Sequence, residues 1–275
     1  MFLKKIGAGL SGAFALAGAF LWSTAASALP VDWQTGFQPA ASPVMDRIED
    51  FHKELLVIIV LVSLFVAALL MWIILRFNQR RNPTPSKTAH NTLLEVAWTI
   101  IPVIILVIIA IPSFRLLYFE ADIPHPDLKI EAIGKQWFWT YNYPASNFTF
   151  DSLGLSDADA AKKGEPRLLG VDNAIVVPVN KVVEIDTTGA DVIHSWAMPQ
   201  MGVKMDAVPG RINKTWFKAT QIGTFYGECS ELCGARHAFM PIELHVVSEA
   251  DYAAWLAGAK KKFAAIDPDT RVAAK

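Results

Sequence analysis

Cysteine is scarce: Cys229 and Cys233 are the only two in 275 residues. That excludes a framework of several disulfides and leaves one bridge or one metal site. Charge is scarce as well, at 19% of residues against roughly 25% in an average soluble domain. Neither sign dominates, with 25 basic and 26 acidic residues, so no positive field argues for a nucleic-acid partner. No Cys-x-x-Cys-His motif occurs, which excludes a covalently attached c-type haem in this chain. Internal repeats and long low-complexity stretches are absent too. What the chain has in excess is apolar residues, 53% of the total, with a mean hydropathy of +0.32. A disordered chain is excluded by that figure, and one soluble domain would have to put the surplus on its surface. The composition describes a membrane protein with a globular part.

The surplus sits in three runs. Residues 6–22 are apolar, preceded by Lys4 and Lys5 and followed by Ala26-Ser27-Ala28. A basic start, an apolar stretch and small residues before a cut site predict a secretory signal peptide over 1–28; an uncleaved anchor helix is the alternative. Residues 29–54 then form an extracytoplasmic N-terminal segment. Residues 55–75 carry no charge, and neither do residues 96–114. At about 1.5 Å per residue each run spans a hydrocarbon core of about 30 Å. Pro102 is tolerable there, because neighbouring helices satisfy the carbonyl it frees. A transmembrane hairpin is therefore expected over 55–117, with helices at about 55–76 and 94–117. The intervening loop, 77–93, follows Arg76 and contains Arg80, Arg81 and Lys87 without an acid up to Asn91, which marks it as cytoplasmic. Both ends of the hairpin then lie outside, the orientation that a signal peptide also demands.

Residues 118–275 form the outer domain, with net charge −4, or −7 without the basic tail from Ala259 onward. Lys129-Ile130-Glu131-Ala132-Ile133 alternates polar and apolar residues, as Lys181-Val182-Val183-Glu184-Ile185 does in part. Turn signals fall at Pro144, Gly164-Glu165-Pro166, Thr188-Gly189, Pro209-Gly210 and Gly223. Short strands between such breaks predict an all-β sandwich or barrel. Residues 156–163 and 249–263 read as short helices.

Chemistry is concentrated in Tyr226-Gly227-Glu228-Cys229-Ser230-Glu231-Leu232-Cys233-Gly234-Ala235-Arg236-His237-Ala238-Phe239-Met240, whose spacing is C-x3-C-x3-H-x2-M. Thiolate, imidazole and thioether together favour copper over Mg²⁺ or Ca²⁺. Two thiolates can bridge two copper ions, each needing a terminal nitrogen and a weak axial ligand. His194, in Asp191-Val192-Ile193-His194-Ser195-Trp196 and following a β-like run, is the best second histidine. His52 and His90 lie near the apolar runs, His125 lies between prolines, and His245 lies in an apparent strand. Three other readings of the cysteine pair stay open. A plain disulfide suits an oxidising compartment but leaves His237 and Met240 unexplained. A thiol-redox or copper-delivery protein is the sharper rival, although its CxxxC normally opens a βαβ unit with a long helical remainder. Zinc is disfavoured by Met240.

These residues resemble a known family. The paired helices, Glu95-Val96-Ala97-Trp98-Thr99-Ile100-Ile101-Pro102, Gly134-Lys135-Gln136-Trp137-Phe138-Trp139, His194-Ser195-Trp196, Met205-Asp206-Ala207-Val208-Pro209-Gly210-Arg211 and the cysteine loop look like subunit II of a bacterial cytochrome c oxidase. The resemblance runs from about Pro39 to Val247. It implies a cupredoxin-like Greek-key barrel with a dinuclear, mixed-valence copper centre. Cys229 and Cys233 would bridge the two coppers, with His194 and His237 as terminal imidazoles. Met240 would be axial on one copper and the Glu231 backbone carbonyl weakly bound to the other. The Glu231 carboxylate would also bind Mg²⁺ or Mn²⁺ shared with subunit I, with Asp206 nearby. Trp137 matches the electron-entry aromatic, and Glu95 a carboxylate at the mouth of a proton pathway. Asp172 and Asp191 sit where acids that dock cytochrome c are expected, while Asn142 stands where another acid was expected. The implied partners are subunit I, subunit III, cytochrome c and membrane lipid. The implied function is electron entry into a respiratory haem-copper oxidase of the bacterial inner membrane, with a periplasmic C-terminal domain. A quinol-oxidase subunit would share the hairpin but lack the copper ligands; a nitrous-oxide reductase would share the loop but lack the hairpin.

Overall fold

The computed structural model of the protein describes Leu29, Val31 and residues 33–263. The expected signal peptide and the basic tail beyond Phe263 lie outside the described residues. Helix α1 runs Pro43–Arg76 and α2 runs Thr92–Ala121. Both are long and apolar enough to cross a membrane, and their apolar windows are not buried within the chain. Each starts on a readable cap. The Ser42 hydroxyl accepts the Met45 amide at 3.1 Å ahead of Pro43, and the Asn91 side chain accepts the Leu94 amide at 3.2 Å.

Helix α1 begins at Pro43, well before the apolar run at Leu55. The added turns precede the uncharged run and their start docks on the outer domain, so apolarity alone does not reveal them. Val44 and Met45 are buried there, the Ser42 hydroxyl donates to the Met201 carbonyl at 2.7 Å, and the Ala41 amide donates to the Gln200 carbonyl at 2.9 Å. At the end of α2 the Trp216 indole donates to the Glu120 carbonyl at 3.1 Å and packs edge-on against Phe119. The hairpin and the outer domain therefore meet through specific contacts on both helices.

The outer domain comprises ten strands: β1 Leu128–Lys135, β2 Phe138–Tyr143, β3 Phe148–Ser152, β4 Ile175–Pro178, β5 Val182–Gly189, β6 His194–Met198, β7 Val203–Ala207, β8 Asn213–Lys218, β9 Gly223–Cys229 and β10 Pro241–Val247. They form two five-stranded sheets, ordered β3-β2-β1-β5-β8 and β4-β10-β9-β6-β7. The β1–β5 and β4–β10 pairs are parallel and the others antiparallel, so the chain crosses repeatedly between sheets. This is the cupredoxin-like all-β class expected. Alternation supplies the core: Ile130, Trp139, Tyr141, Val183, Ile185 and Phe217 from one sheet meet Trp196, Met198, Phe225, Ile242 and Leu244 from the other. Short helices α3 Asp157–Lys163 and α4 Glu249–Phe263 occur where the polar stretches indicate them.

Candidate metal centre

Three segments distant in sequence, around Gln136, His194 and Cys229, converge at one end of the second sheet. Strand β9 ends on Cys229, and the loop after it carries Cys233 and a single 3-10 turn, His237–Phe239, before β10. His194 is the first residue of β6, entering it from a loop rather than closing a preceding strand. The β6–β9 register sets Trp196 opposite Cys229, and the Ser230 amide donates to the Ser195 carbonyl at 2.9 Å. The Cys229 amide donates to the Met240 carbonyl at 3.0 Å, which closes the loop on itself.

Within this frame the two sulfurs lie 3.8 Å apart, well beyond the roughly 2.05 Å of a disulfide, and both cysteines are free. Cys229 Sγ lies 3.9 Å from His194 Nδ1, and Cys233 Sγ lies 3.6 Å from His237 Nδ1. Cys229 Sγ is also 3.4 Å from the Glu231 carbonyl oxygen. The donor atoms of His194, Cys229 and Cys233 all fall within 4.8 Å of one another, a group able to hold a metal ion. Met240 and His194 are fully buried, and His237 is half-buried. Two sulfurs and two imidazoles at these distances suit a soft or borderline metal, and the donor chemistry therefore fits copper.

The surrounding shell is built as carefully as the donors. Asp191 accepts the His194 Nε2–H at 2.8 Å, the Gln136 amide at 2.7 Å and the Val192 amide at 2.7 Å. This turns His194 Nδ1 toward Cys229, the arrangement by which a carboxylate fixes a metal-ligating imidazole. Burial works against the charged form of Asp191, yet these donors hold its carboxyl below the usual range. Burial also works against a charged His194, while Cys229 and Asp191 raise it above its ordinary value. For Cys229, burial pushes the thiol up but His194 and the nearby backbone groups bring it down to about 6. Cys233 is pushed up to about 12 by burial and by the neighbouring Cys229 sulfur. A charge on the Cys229 sulfur opposes a second charge on Cys233.

Close packing dictates two glycines. A Cβ on Gly134 would stand 2.7 Å from the His194 ring, and one on Gly227 would stand 1.9 Å from the Ala197 carbonyl oxygen. Gln136 Nε2 and the Trp137 indole N–H both donate to the Cys233 carbonyl, at 2.7 and 3.3 Å. Trp137 is half-buried against the core.

The structure thus brings together His194, Cys229, the Glu231 carbonyl, Cys233, His237 and Met240, with Trp137 against them. Glu231 is exposed, and so is Asp206, which lies opposite Ser195 in the β6–β7 register. Glu95 lies far away at the start of α2, where its carboxylate accepts the Asn91 amide at 3.3 Å and stands 3.7 Å from His90 Nδ1. Asp172 is exposed and accepts the Leu153 amide at 2.7 Å. Sequence reasoning missed the hold of Asp191 on His194 and that of Gln136 on Cys233. The spacing Asp-x-x-His and the position of Gln136 beside Trp137 were the available signals.

Comparison with known proteins agrees along most of the chain. The family described as cytochrome c oxidase subunit II, transmembrane domain, matches residues 30–116, and its periplasmic domain matches residues 128–247. A probable cytochrome c oxidase subunit 2 of Rickettsia bellii is 50% identical over 246 residues, covering 89% of this chain and 91% of that protein. Cytochrome c oxidase subunit 2 of Cereibacter sphaeroides is 44% identical over 243 residues, covering 82% and 80%. The crystal structure of the periplasmic domain of subunit II of cytochrome oxidase of Bradyrhizobium japonicum is 57% identical and covers 52% of this chain and 99% of that one, with a TM-score of 0.49. Hairpin, outer domain and full-length relatives all point the same way, and the chain belongs to the cytochrome c oxidase subunit II family, whose members are subunits of that oxidase.

Proposed function

We propose that this chain is the electron-entry subunit of a respiratory haem-copper terminal oxidase. It accepts electrons from cytochrome c at a dinuclear copper centre and delivers them to haem in subunit I, where oxygen is reduced to water with proton pumping. The observation that carries the reading is the pair of sulfurs 3.8 Å apart, each with a histidine Nδ1 within 3.9 Å. His194, Cys229, Cys233, His237, Met240 and the Glu231 carbonyl would hold two copper ions. When bound, copper supplies a one-electron couple that the protein's own side chains lack.

The chain's residues do the rest. Asp191 holds His194 in place, and Gln136 fixes the carbonyl of Cys233. Trp137 supports an entry role because its indole is half-buried yet hydrogen-bonded to the backbone of Cys233. The exposed Glu231 carboxylate, with the exposed Asp206 on β7 opposite Ser195, is the proposed contribution to a Mg²⁺ or Mn²⁺ ion shared with subunit I. Glu95, at the cytoplasmic end of α2, is the proposed entrance of a proton pathway. Subunits I and III are the proposed partners of the hairpin, and the bacterial inner membrane its location.

Asp172 and Asp191 are proposed docking acids for cytochrome c, although their carboxylates already accept backbone N–H groups. The net-negative outer domain makes docking electrostatic, so the rate of cytochrome c oxidation falls as salt screens charges beyond about 10 Å. A rate independent of ionic strength overturns the docking reading. The copper reading is tested by metal stoichiometry with electron paramagnetic resonance. Two coppers per chain with one unpaired spin shared over both nuclei are expected, and Cys229→Ser abolishes that signal. Zinc alone, or a single isolated copper, overturns it.

A further inference from the structure

The two membrane helices carry a second set of polar residues that electron entry does not use. On α1, Glu54 is followed at once by the uncharged run beginning at Leu55; on α2, Arg115 follows at once the uncharged run ending at Phe114. Both line one cleft of about 260 Å³ between the helices, together with Arg47, Asp50, Phe51 and Leu116. The edge of the apolar zone therefore falls at the same level on both helices, and the cleft opens there on the outer side.

Its charges are arranged across a gap. Two guanidinium groups and two carboxylates face the cleft, which leaves it close to neutral. The Arg47 guanidinium carbon stands 3.5 Å from the centre of the Phe119 ring. Asp50 is partly neutralised by Lys53 at 3.1 Å. Glu54 and Arg115 make no hydrogen bond or ion pair among the described residues. They line the same cleft and carry opposite charge, yet they do not close on one another. Both side chains are exposed, and at the end of an apolar run charged groups reach into the headgroup zone, where they meet charged partners. A dipolar molecule between them, with its anionic end on the arginines and its cationic end on Glu54, satisfies both.

From this geometry we infer that the cleft is a binding site for the headgroup of a zwitterionic phospholipid of the outer leaflet, phosphatidylethanolamine. The phosphate sits on Arg47 and Arg115, where guanidinium groups offer paired donors to its oxygens. The ammonium sits on Glu54 and Asp50, and needs N–H donors that a quaternary choline lacks. The acyl chains run from Phe51 and Leu116 down the apolar faces of the helices. Two carboxylates in the cleft disfavour an anionic lipid.

The test uses the assembly purified from its native membrane, exchanged in detergent against equimolar phosphatidylethanolamine and phosphatidylglycerol, washed, and weighed by native mass spectrometry. The parent chain is expected to retain one phosphatidylethanolamine that Arg115→Ala loses, with affinity falling about tenfold, the effect of one charge-assisted contact. Glu54→Gln leaves the cleft net positive, so the retained lipid shifts from phosphatidylethanolamine toward phosphatidylglycerol, a change that a merely structural role does not produce. Copper content serves as the folding control and stays unchanged in both variants, so the result is independent of the copper reading. Equal phosphatidylethanolamine in parent and Arg115→Ala, preference of the parent for phosphatidylglycerol, or a neighbouring subunit's side chain filling the cleft would overturn the inference.

Discussion

Asp191 lies outside the donor set, yet it decides which nitrogen of His194 faces the sulfurs. Its carboxylate takes the Nε2–H at 2.8 Å and two backbone amides, so neither the ring nor the loop swings freely. Asp191→Asn keeps the shape and removes the charge, and metal affinity is expected to fall about 10- to 100-fold, measured by competition with a chelator. The two thiols supply a second expectation, for the metal-free chain. Cys229 is held at about 6, below its ordinary 9.0, so its contribution to stability grows as pH rises from about 6 to about 9 and is full above that. Cys233 is raised from 9.0 to about 12, so it costs stability as pH rises from about 9 toward 12. The contribution of this pair to the stability of the copper-free chain should therefore be largest between these two transitions, read as the difference in thermal midpoint between parent and thiol-free variant across pH. The double variant Cys229→Ser, Cys233→Ser should lose this component of the pH profile.

Strands β6 and β9 are the elements that make the site. Their pairing is short, Trp196 with Cys229 and Ala197 with Glu228, and the Ser230 amide on the Ser195 carbonyl extends it. Gly227 permits it, because any side chain there meets the Ala197 carbonyl oxygen. Gly227→Ala is expected to push β9 off β6 and to destabilise the domain by about 1–3 kcal/mol. Lost copper stoichiometry together with a lower melting temperature checks this; a stable domain with both coppers in place refutes it. Helix α1 shows a different economy of design. Its apolar half belongs to the membrane and its capped start belongs to the outer domain, through Ser42, Val44 and Met45. Together with the contacts of α2 on Trp216, this ties the outer domain to the hairpin.

At the scale of the whole molecule, charge and apolarity orient the chain. Arg76, Arg80, Arg81 and Lys87 mark the inner side, and the acidic outer domain lies beyond α2. The two cysteines are buried, so single introduced cysteines report topology cleanly. Ser86→Cys in the loop between the helices should react with a membrane-impermeant maleimide only after permeabilisation. Gly258→Cys on α4, where a Cβ meets nothing within 4 Å, should react from outside in intact cells. Labelling in the reverse pattern would invert the orientation. Contacts such as Trp216 with Glu120, and Arg47 over Phe119, lie where the hairpin meets the outer domain, so the metal centre stands at a fixed height above the membrane.

Much of this was legible in sequence for a simple reason. Uncharged runs of membrane length, β alternation and a dense ligand motif are local signals, each contained in a short window around Leu55, Ile130 or Cys229. The helical hairpin, the all-β class and the convergence of Cys229, Cys233 and His237 follow from such windows. Other features depend on residues that meet only after folding. His194 lies 3.9 Å from Cys229 because β6 pairs with β9, Gly134 must be small because the His194 ring packs on it, and Gln136 reaches Cys233 across 97 positions of chain. Asp191 reads in sequence as an acid for docking cytochrome c; only the fold turns it toward an imidazole. The sequence by itself determined which atoms are available to bind metal. Tertiary structure decided their orientation and their protonation, because both depend on neighbours brought in from distant strands and on burial among them.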